Sequence, residues 1–464
     1  MLTVKEQSLI NAGPWTGAVT DQGAIVKVSV LPNVKNATVI LSKDPVFSQT
    51  RSYDQSSMWD DPDRKYINRI LTFVLPDLQP NQQYYYQLIL NGIAQRDCIA
   101  AFKTFPPLGS RQDFKIAFAS CSGNRKFTNL HYPMPESFIA VKNEPDILFF
   151  LHLGDLHYAN IKKREIAIRL EKYDWMLRRK EPGDLFRAHA MAYVWDDHDF
   201  LGDDTDGGDP KYKAAAIVAR QAYDLYVPHY PFSSDGMDGI YQSFAVGKVL
   251  FVITDNRFHK LHRGSDTSPR SMLGVKQREW LKAQLLIGKN YDLIVWGNSL
   301  PWVGKAHPRE VFWAGYSDER TSISNFIIEN QISNLCMLSG DAHMLAIDDG
   351  SNSGFSPDGA GGFPLFHAAA LESRPTRKGG IYSKGTKDGK PGRGIAGTGQ
   401  YGVMEVRYKK DENGNALPGP RVYWIGKRVC RKKVDSDDLD CQIMLTHEFA
   451  ADSATILKKV SPSI

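Results

Sequence analysis

Between residues 15 and 105 apolar and polar side chains alternate, as in Ala24-Ile25-Val26-Lys27-Val28-Ser29-Val30 and Gln83-Tyr84-Tyr85-Tyr86-Gln87-Leu88-Ile89-Leu90, with short turn clusters between the runs. A period of two predicts half-buried strands, so this region reads as a small β-sandwich. Pro106-Pro107-Leu108-Gly109 then interrupts the pattern. Two prolines and a glycine after a strand mark a linker, which divides the chain into an all-β domain, 1–107, and a second domain, 108–464. From Asp113 onward the texture changes to short, continuous apolar runs separated by amphipathic segments of helical length. Runs of that kind are strands buried on both faces of an α/β sheet. The pattern predicts strands at 114–119, 146–153, 190–195, 249–254, 291–297 and 334–339, and helices near 162–180, 210–227, 274–287 and 320–331. Two Gly-rich stretches, 351–362 and 378–399, read as long loops. No internal repeat is visible.

Composition narrows the class. A chain of 464 residues exceeds the roughly 250–300 at which one hydrophobic core stops growing, in keeping with two domains. With 42% hydrophobic and 23% charged residues, disordered, collagenous and coiled-coil readings are excluded. The net charge of +5 is mild and the basic residues are interleaved with acids, so no specific nucleic-acid binding is expected. The longest apolar stretch, Ile147–Leu153, is far short of the ~20 residues that span a bilayer, and no membrane span is expected. Residues Met1 to Gln7 carry neither a twin-arginine pair nor an apolar signal core. No export leader is therefore expected in this chain, which reads as cytoplasmic unless a leader was removed, in which case it is periplasmic or secreted. Among five cysteines, Cys430 and Cys441 are the best candidates for a bridge, and free thiols are the equal alternative. Nothing in the sequence fixes the oligomeric state.

The candidate chemistry sits at the ends of the buried strands. Four of them run into Ser120-Cys121-Ser122-Gly123, Gly154-Asp155-Leu156-His157-Tyr158, Asp196-Asp197-His198-Asp199 and Gly340-Asp341-Ala342-His343. Ligands of open α/β sheets bind beyond the carboxyl ends of the strands, so these four ends are expected to share one cleft. Each residue alone has an ordinary reading: an Asp ending a strand caps a turn, a lone Cys packs as a small hydrophobe, and a lone His is structural. Three acids and a histidine directly after an apolar run are harder to accommodate without cations. Together, thiol, phenol, carboxylates and imidazoles make a donor set for metal ions. Two adjacent cations acidify water and neutralise phosphate, the chemistry that phosphoester hydrolysis needs, and they require a bridging carboxylate. Asp155 is the choice for it, since Gly154 permits a tight exit from the strand. Tyr158 and Cys121 join it on one ion. Asp197, beside Asp196, serves the second, His198 protonates the leaving alkoxide, and Asp341 and His343 close the shell. A further strand ends in Asp255-Asn256-Arg257, and a guanidinium held by Asp255 is suited to grip phosphate. Asn298 is either a substrate or metal contact or a turn former. Trp302 and the segment Phe312-Trp313-Ala314-Gly315-Tyr316 either wall the entrance or pack in the core. The Lys- and Arg-rich helix near 162–180 reads as a solvated face.

These four motifs together resemble the PhoD-like alkaline phosphatases, within the calcineurin-like metallophosphoesterases. The resemblance runs from Ala119-Ser120-Cys121 through His152-Leu153-Gly154-Asp155-Leu156-His157-Tyr158 and Trp195-Asp196-Asp197-His198-Asp199 to Ser339-Gly340-Asp341-Ala342-His343. It implies a four-layer αββα core preceded by a fibronectin- or immunoglobulin-like sandwich. It also implies a centre of Fe3+ and Ca2+, with Zn2+, Mn2+ or Mg2+ as substitutes, that hydrolyses phosphate mono- and diesters by in-line attack of a metal-bound hydroxide. On this resemblance Cys121, Asp155 and Tyr158 are iron ligands and Asp155 also touches the second metal. Asp197-His198 stands for the superfamily's Asn-His pair. Asp341 replaces the first histidine of Gly-His-x-His, and His343 keeps the second. Asp255 and Arg257 match an Asp-x-Arg strand end. Substrate contacts fall to Arg257, Asn298 and His343. The chain departs from the family at Gly202, where an asparagine is common. A binding protein of the same fold without turnover is the alternative, and an adhesive sandwich with a structural partner domain is a third reading.

Overall fold

The continuous apolar runs pack as they must, with both faces covered. In the computed structural model, which describes residues 8–123, 134–233, 238–261, 270–430 and 439–457, two large mixed sheets face each other. At the centre of the first lie Phe114–Ala119, Ile147–Leu153 and Ala190–Val194, paired in parallel. At the centre of the second lie Val249–Ile253, Leu293–Asn298, Leu335–Ser339 and Pro364–Ala368, again parallel. Phenylalanines interlock the two sheets: Phe118 with Phe366 at 5.0 Å between ring centroids, and Phe149 with Phe251 at 5.5 Å and with Phe244 at 5.7 Å. Helices Ile166–Arg178, Lys180–Ala188 and Lys213–Tyr226 flank the first sheet. Helix Gly274–Gly288 covers the second through Leu281 and Leu285, with Ser317–Glu329 beside it contributing Ile323 and Ile327. The layering is helix, sheet, sheet, helix. Because the central strands of each sheet are parallel, their carboxyl ends collect at one edge, and that edge carries the candidate site.

Six of the seven central strands begin and end within two residues of their predicted positions, and Pro364–Ala368 was not predicted. The C-terminal strands Gln400–Arg407, Arg421–Cys430 and Asp440–Ala450, which extend the first sheet beyond Phe114–Ala119, were not predicted. Neither were the short helices Glu136–Lys142 and Asp197–Phe200.

The N-terminal strands form two antiparallel sheets, as the alternation requires, but one of them is not separate from the rest. Ile10–Gly17 pairs with Ala24–Val30 on one side and, at Gly17 opposite Met191, runs parallel to Ala190–Val194 on the other. A Cβ at Gly17 would stand 2.2 Å from the Pro228 carbonyl oxygen and 2.8 Å from that of Met191, so only glycine lets these backbones meet. The sheet therefore crosses the expected boundary at 107/108. The same seam is tied by a buried carboxylate. Asp174 accepts from Asn11 Nδ2 at 2.7 Å, from the Tyr226 hydroxyl at 2.6 Å and from the Tyr66 hydroxyl at 3.0 Å. Among the described residues no helix is long and apolar enough to cross a membrane.

Candidate metal centre

Four strand ends approach closely because glycines stand where they cross. A Cβ at Gly154 would lie 2.4 Å from that of Asp196, and one at Gly340 would lie 2.7 Å from Ser120 Oγ and 2.8 Å from the Leu153 carbonyl oxygen. Ser120 Oγ accepts from the Asp341 N–H at 3.1 Å, and the Cys121 N–H donates to the Gly154 carbonyl at 3.0 Å. Asp199 knots the turn that follows Asp155, accepting from the N–H groups of Leu156 and His157, each at 2.8 Å, and from the Tyr193 hydroxyl at 2.7 Å. These bonds hold an unusual backbone. Cys121 (φ 62°), Asp155 (61°), Tyr158 (50°), Asp341 (70°) and His343 (44°) all occupy the left-handed region. Each such residue costs roughly 1–3 kcal/mol, and strain of this kind gathers at functional sites.

The result is two groups of candidate ligands with one member in common. The donor atoms of Cys121, Asp155 and His343 lie within 4.8 Å of one another, and so do those of Asp155, Asp197 and His198. The Tyr158 hydroxyl donates to His343 Nε2 at 3.2 Å. His343 Nδ1 sits 2.6 Å from the Arg374 carbonyl, which only accepts, so Nδ1 carries the hydrogen and Nε2 faces the cluster. Burial keeps this imidazole neutral, its pKa lowered to about 4.

Crowded acids in a dry place set the electrostatics. Burial, then Asp197 and Asp196, pushes the Asp155 carboxyl well above the usual range. Burial with Asp155 and Asp341 raises the Cys121 thiol, and burial with Asp155 and Cys121 raises the Tyr158 phenol. Asp196 is pushed up to about 7 by burial, against the pull of Arg257. For Asp197 burial is outweighed by Arg257, His198 and Lys378, which hold it below the ordinary range. Asp196 Oδ2, Asp197 Oδ1 and Asp341 Oδ2 are buried with no hydrogen-bond donor among the described residues, although the Arg257 guanidinium lies 3.6 Å from the Asp197 oxygen. Open carboxylate oxygens beside a thiol, a phenol and the imidazoles of His198 and His343 are a donor set that fits cations.

Several expectations are redrawn. Arg257 is ion-paired with Asp196, not held by Asp255. Asp255 is occupied by the N–H groups of Arg257, Phe258 and Ile240 and by the Trp195 indole. Asn298 does not face the site: its amide donates to the Leu300 carbonyl and accepts from Trp313 Nε1 at 3.0 Å, so it is a turn former. Trp302, Phe312, Trp313 and Tyr316 belong to the core behind the second sheet. Arg169 is buried, donating to the carbonyls of Phe200 and Ile161, each at 2.7 Å, so its helix is not a wholly solvated face. Cys430 and Cys441 are free. Val429 lies opposite Cys441 and Cys430 opposite Asp440, which puts the two thiols on opposite faces of the strand pair. Their connection, 431–438, lies outside the described residues.

Three site residues escaped sequence reasoning. Ser120 links two strand ends as described above. Asn160 Oδ1 receives His198 Nδ1 at 2.7 Å, and the imidazole also stacks on Tyr158 at 4.2 Å. A Cβ at Gly202 would lie 3.3 Å from the Asn160 amide oxygen, so Asn160 occupies the neighbourhood of the asparagine that the resemblance leads one to expect at 202. Lys378, on the second Gly-rich loop, donates to Asp341 Oδ1 at 2.7 Å.

The fold has solved counterparts at low identity. A structure of PhoD superposes with a TM-score of 0.71 at 16% identity, covering 99% of this chain and 93% of the other. Purple acid phosphatase PPD1 from yellow lupin (Lupinus luteus) seeds superposes at 0.60 with 12% identity, over 95% and 75% of the two chains. The molecule thus has a metallophosphoesterase-like α/β fold. The family model for PhoD-like phosphatase matches residues 116–385, and the chain belongs to that family. Alkaline phosphatase D of Bacillus subtilis (strain 168) is 24% identical over 314 residues, 57% of this chain. That match spans about half, 52%, of the length of the curated relative.

Proposed function

We propose that this protein is a metal-dependent hydrolase of small-molecule phosphate mono- and diesters. The observation that carries the reading is the pair of ligand groups sharing Asp155, supported by the family membership and by the alkaline phosphatase activity that the curated relative's name records. Cys121, Asp155, Tyr158 and His343 would hold one ion, and Asp155, Asp196, Asp197 and Asp341 the other, with Fe3+ and Ca2+ as the favoured pair. When bound, two such ions acidify water and neutralise phosphate charge.

The remaining steps fall to the side chains. Arg257, oriented by Asp196, grips a non-reacting phosphate oxygen. His198, with Nδ1 held by Asn160 and its ring laid on Tyr158, presents Nε2 and protonates the leaving alkoxide. Asp203 Oδ1 lies 3.7 Å from Nε2. We assign residues 1–107 to a scaffold and 108–464 to the catalytic part, with no specific role in nucleic-acid binding.

Elemental analysis of the purified protein beside hydrolysis of an aryl phosphate and a bis-aryl phosphate at mildly alkaline pH tests the reading. Metal at two ions per chain, hydrolysis of either ester and loss of both in Asp155→Ala are expected. A metal-replete protein that turns over no ester would instead establish the binding-protein alternative.

A further inference from the structure

Resting on the two-ion reading above, we infer that Lys378 is a built-in competitor for the second cation, so that the centre loads in two unequal steps. The two halves of the centre balance their anions differently. Around Cys121, Tyr158 and His343, no Lys or Arg side chain is ion-paired or hydrogen-bonded to a ligand atom among the described residues. The other half already contains two cations. Arg257 is paired with Asp196 and Asp197. Lys378 Nζ lies 2.7 Å from Asp341 Oδ1, and Asp197 and Asp204 are near enough to add to its attraction.

This lysine is placed, not loose. Its segment is fixed on both sides: Thr376 Oγ1 donates to the Ala342 carbonyl at 3.3 Å, Arg377 Nε to that of Gly394 at 2.9 Å, and the Gly380 N–H to that of Val303 at 3.1 Å. The Tyr382 hydroxyl reaches the Lys378 carbonyl itself at 3.2 Å. The stem, by contrast, is a third exposed while its partner carboxylate is 5% exposed. The ammonium can therefore swing outward toward solvent, whereas Asp341 cannot follow. An ammonium on a carboxylate already neutralises the charge that would attract an ion, and an ion beside an ammonium is repelled by it. A divalent ion entering between Asp155, Asp197 and Asp341 must compete with the Lys378 ammonium for the Asp341 carboxylate, one oxygen of which is held and the other open. An ion entering between Cys121, Asp155 and His343 meets no ammonium hydrogen-bonded to its ligand atoms.

The test is titration of chelator-stripped full-length protein with manganese(II), with free ion read by electron paramagnetic resonance, for wild type, Lys378→Met and Lys378→Arg. Thermal melting in chelator confirms that each variant is folded, and Lys378→Gln replaces the methionine variant if that one is not. Two classes of site are expected in wild type. In Lys378→Met the weaker class should tighten by about tenfold or more while the stronger is unchanged, and Lys378→Arg should behave as wild type. A weaker class that is unchanged or loosened in the methionine variant overturns the competition and leaves the two-ion centre standing. Absence of any bound ion in wild type and variants alike sinks the centre itself, and the competition with it.

Discussion

Two buried carboxylates in this molecule are treated in opposite ways. Asp174, at the seam between the N-terminal strands and the helices, is surrounded by donors: two hydroxyls and an amide within 3.0 Å. Asp155, at the strand ends, faces four other acids and a thiol, and its nearest hydrogen-bond donor other than that thiol is the His198 N–H at 3.3 Å. The first carboxylate is solvated by three close donors; the second has one longer contact to each oxygen, amid like charges. Burial alone does not distinguish the two carboxylates, whereas the charges that surround them do.

Removing each acid should move stability in opposite directions. Asp174→Ala strands the Tyr66, Tyr226 and Asn11 donors without an acceptor, and a loss of about 3 kcal/mol or more is expected in chemical denaturation. Its metal content per folded chain should not change. A smaller loss, or a loss confined to activity, would place the seam among elements the fold does not need. Asp155→Asn, by contrast, relieves like-charge crowding, so the metal-free protein should gain about 1–3 kcal/mol while losing its ions and its turnover. The gain should shrink toward pH 4, because the unfolded chain then begins to bind the proton that the folded carboxyl favours. A variant no more stable than wild type at neutral pH would show that the crowding costs the fold nothing.

The contrast also explains what could be read from sequence. Buried parallel strands announce themselves as unbroken apolar runs, and the acids that follow them are conspicuous for the same reason, so Cys121, Asp155, Asp197 and Asp341 were legible before any coordinates. Arg421–Cys430 carried a readable period-two alternation, with Val422 and Trp424 buried between half-exposed neighbours, yet no strand was predicted beyond 339. Asn160 and Lys378 carried no signal of their own. They stand on loops, and only the crossing of distant strands gives a loop residue its partner. The Asp255–Arg257 pairing failed for the converse reason: proximity along the chain suggested an ion pair, but Asp255 is consumed by backbone N–H groups and the guanidinium reaches Asp196 on another sheet.

Between the two regions stands Asn160, a satisfied polar group inside the unsatisfied site. Asn160→Ala leaves His198 Nδ1 without its acceptor and frees the ring to turn. A fall in kcat of about tenfold is expected with KM little changed, and Asn160→Asp should restore much of the rate. An unchanged pH profile and rate in the alanine variant would remove Asn160 from the positioning of the acid.

The smallest effect concerns a cation at the seam, and it sharpens the comparison from the opposite charge. Lys27 is buried and donates to the Asp224 and Leu225 carbonyls at the end of helix Lys213–Tyr226, the latter at 3.0 Å, where carbonyls lack helical partners. Neutral carbonyls solvate an ammonium incompletely, so burial lowers its pKa from 10.5 to about 8 despite Asp224. Between those two values the unfolded chain binds the proton and the folded one does not. Stability must therefore rise with pH in that window, opposite to the behaviour of a lysine whose pKa is raised by a salt bridge. The gain from about pH 7 to pH 9 amounts to roughly 1 kcal/mol. Denaturation across that range in wild type and Lys27→Met isolates it: the difference in stability between the two proteins should shift by this amount in favour of wild type as pH rises. A difference that is flat with pH would mean that the Lys27 ammonium is as well solvated in the fold as in water.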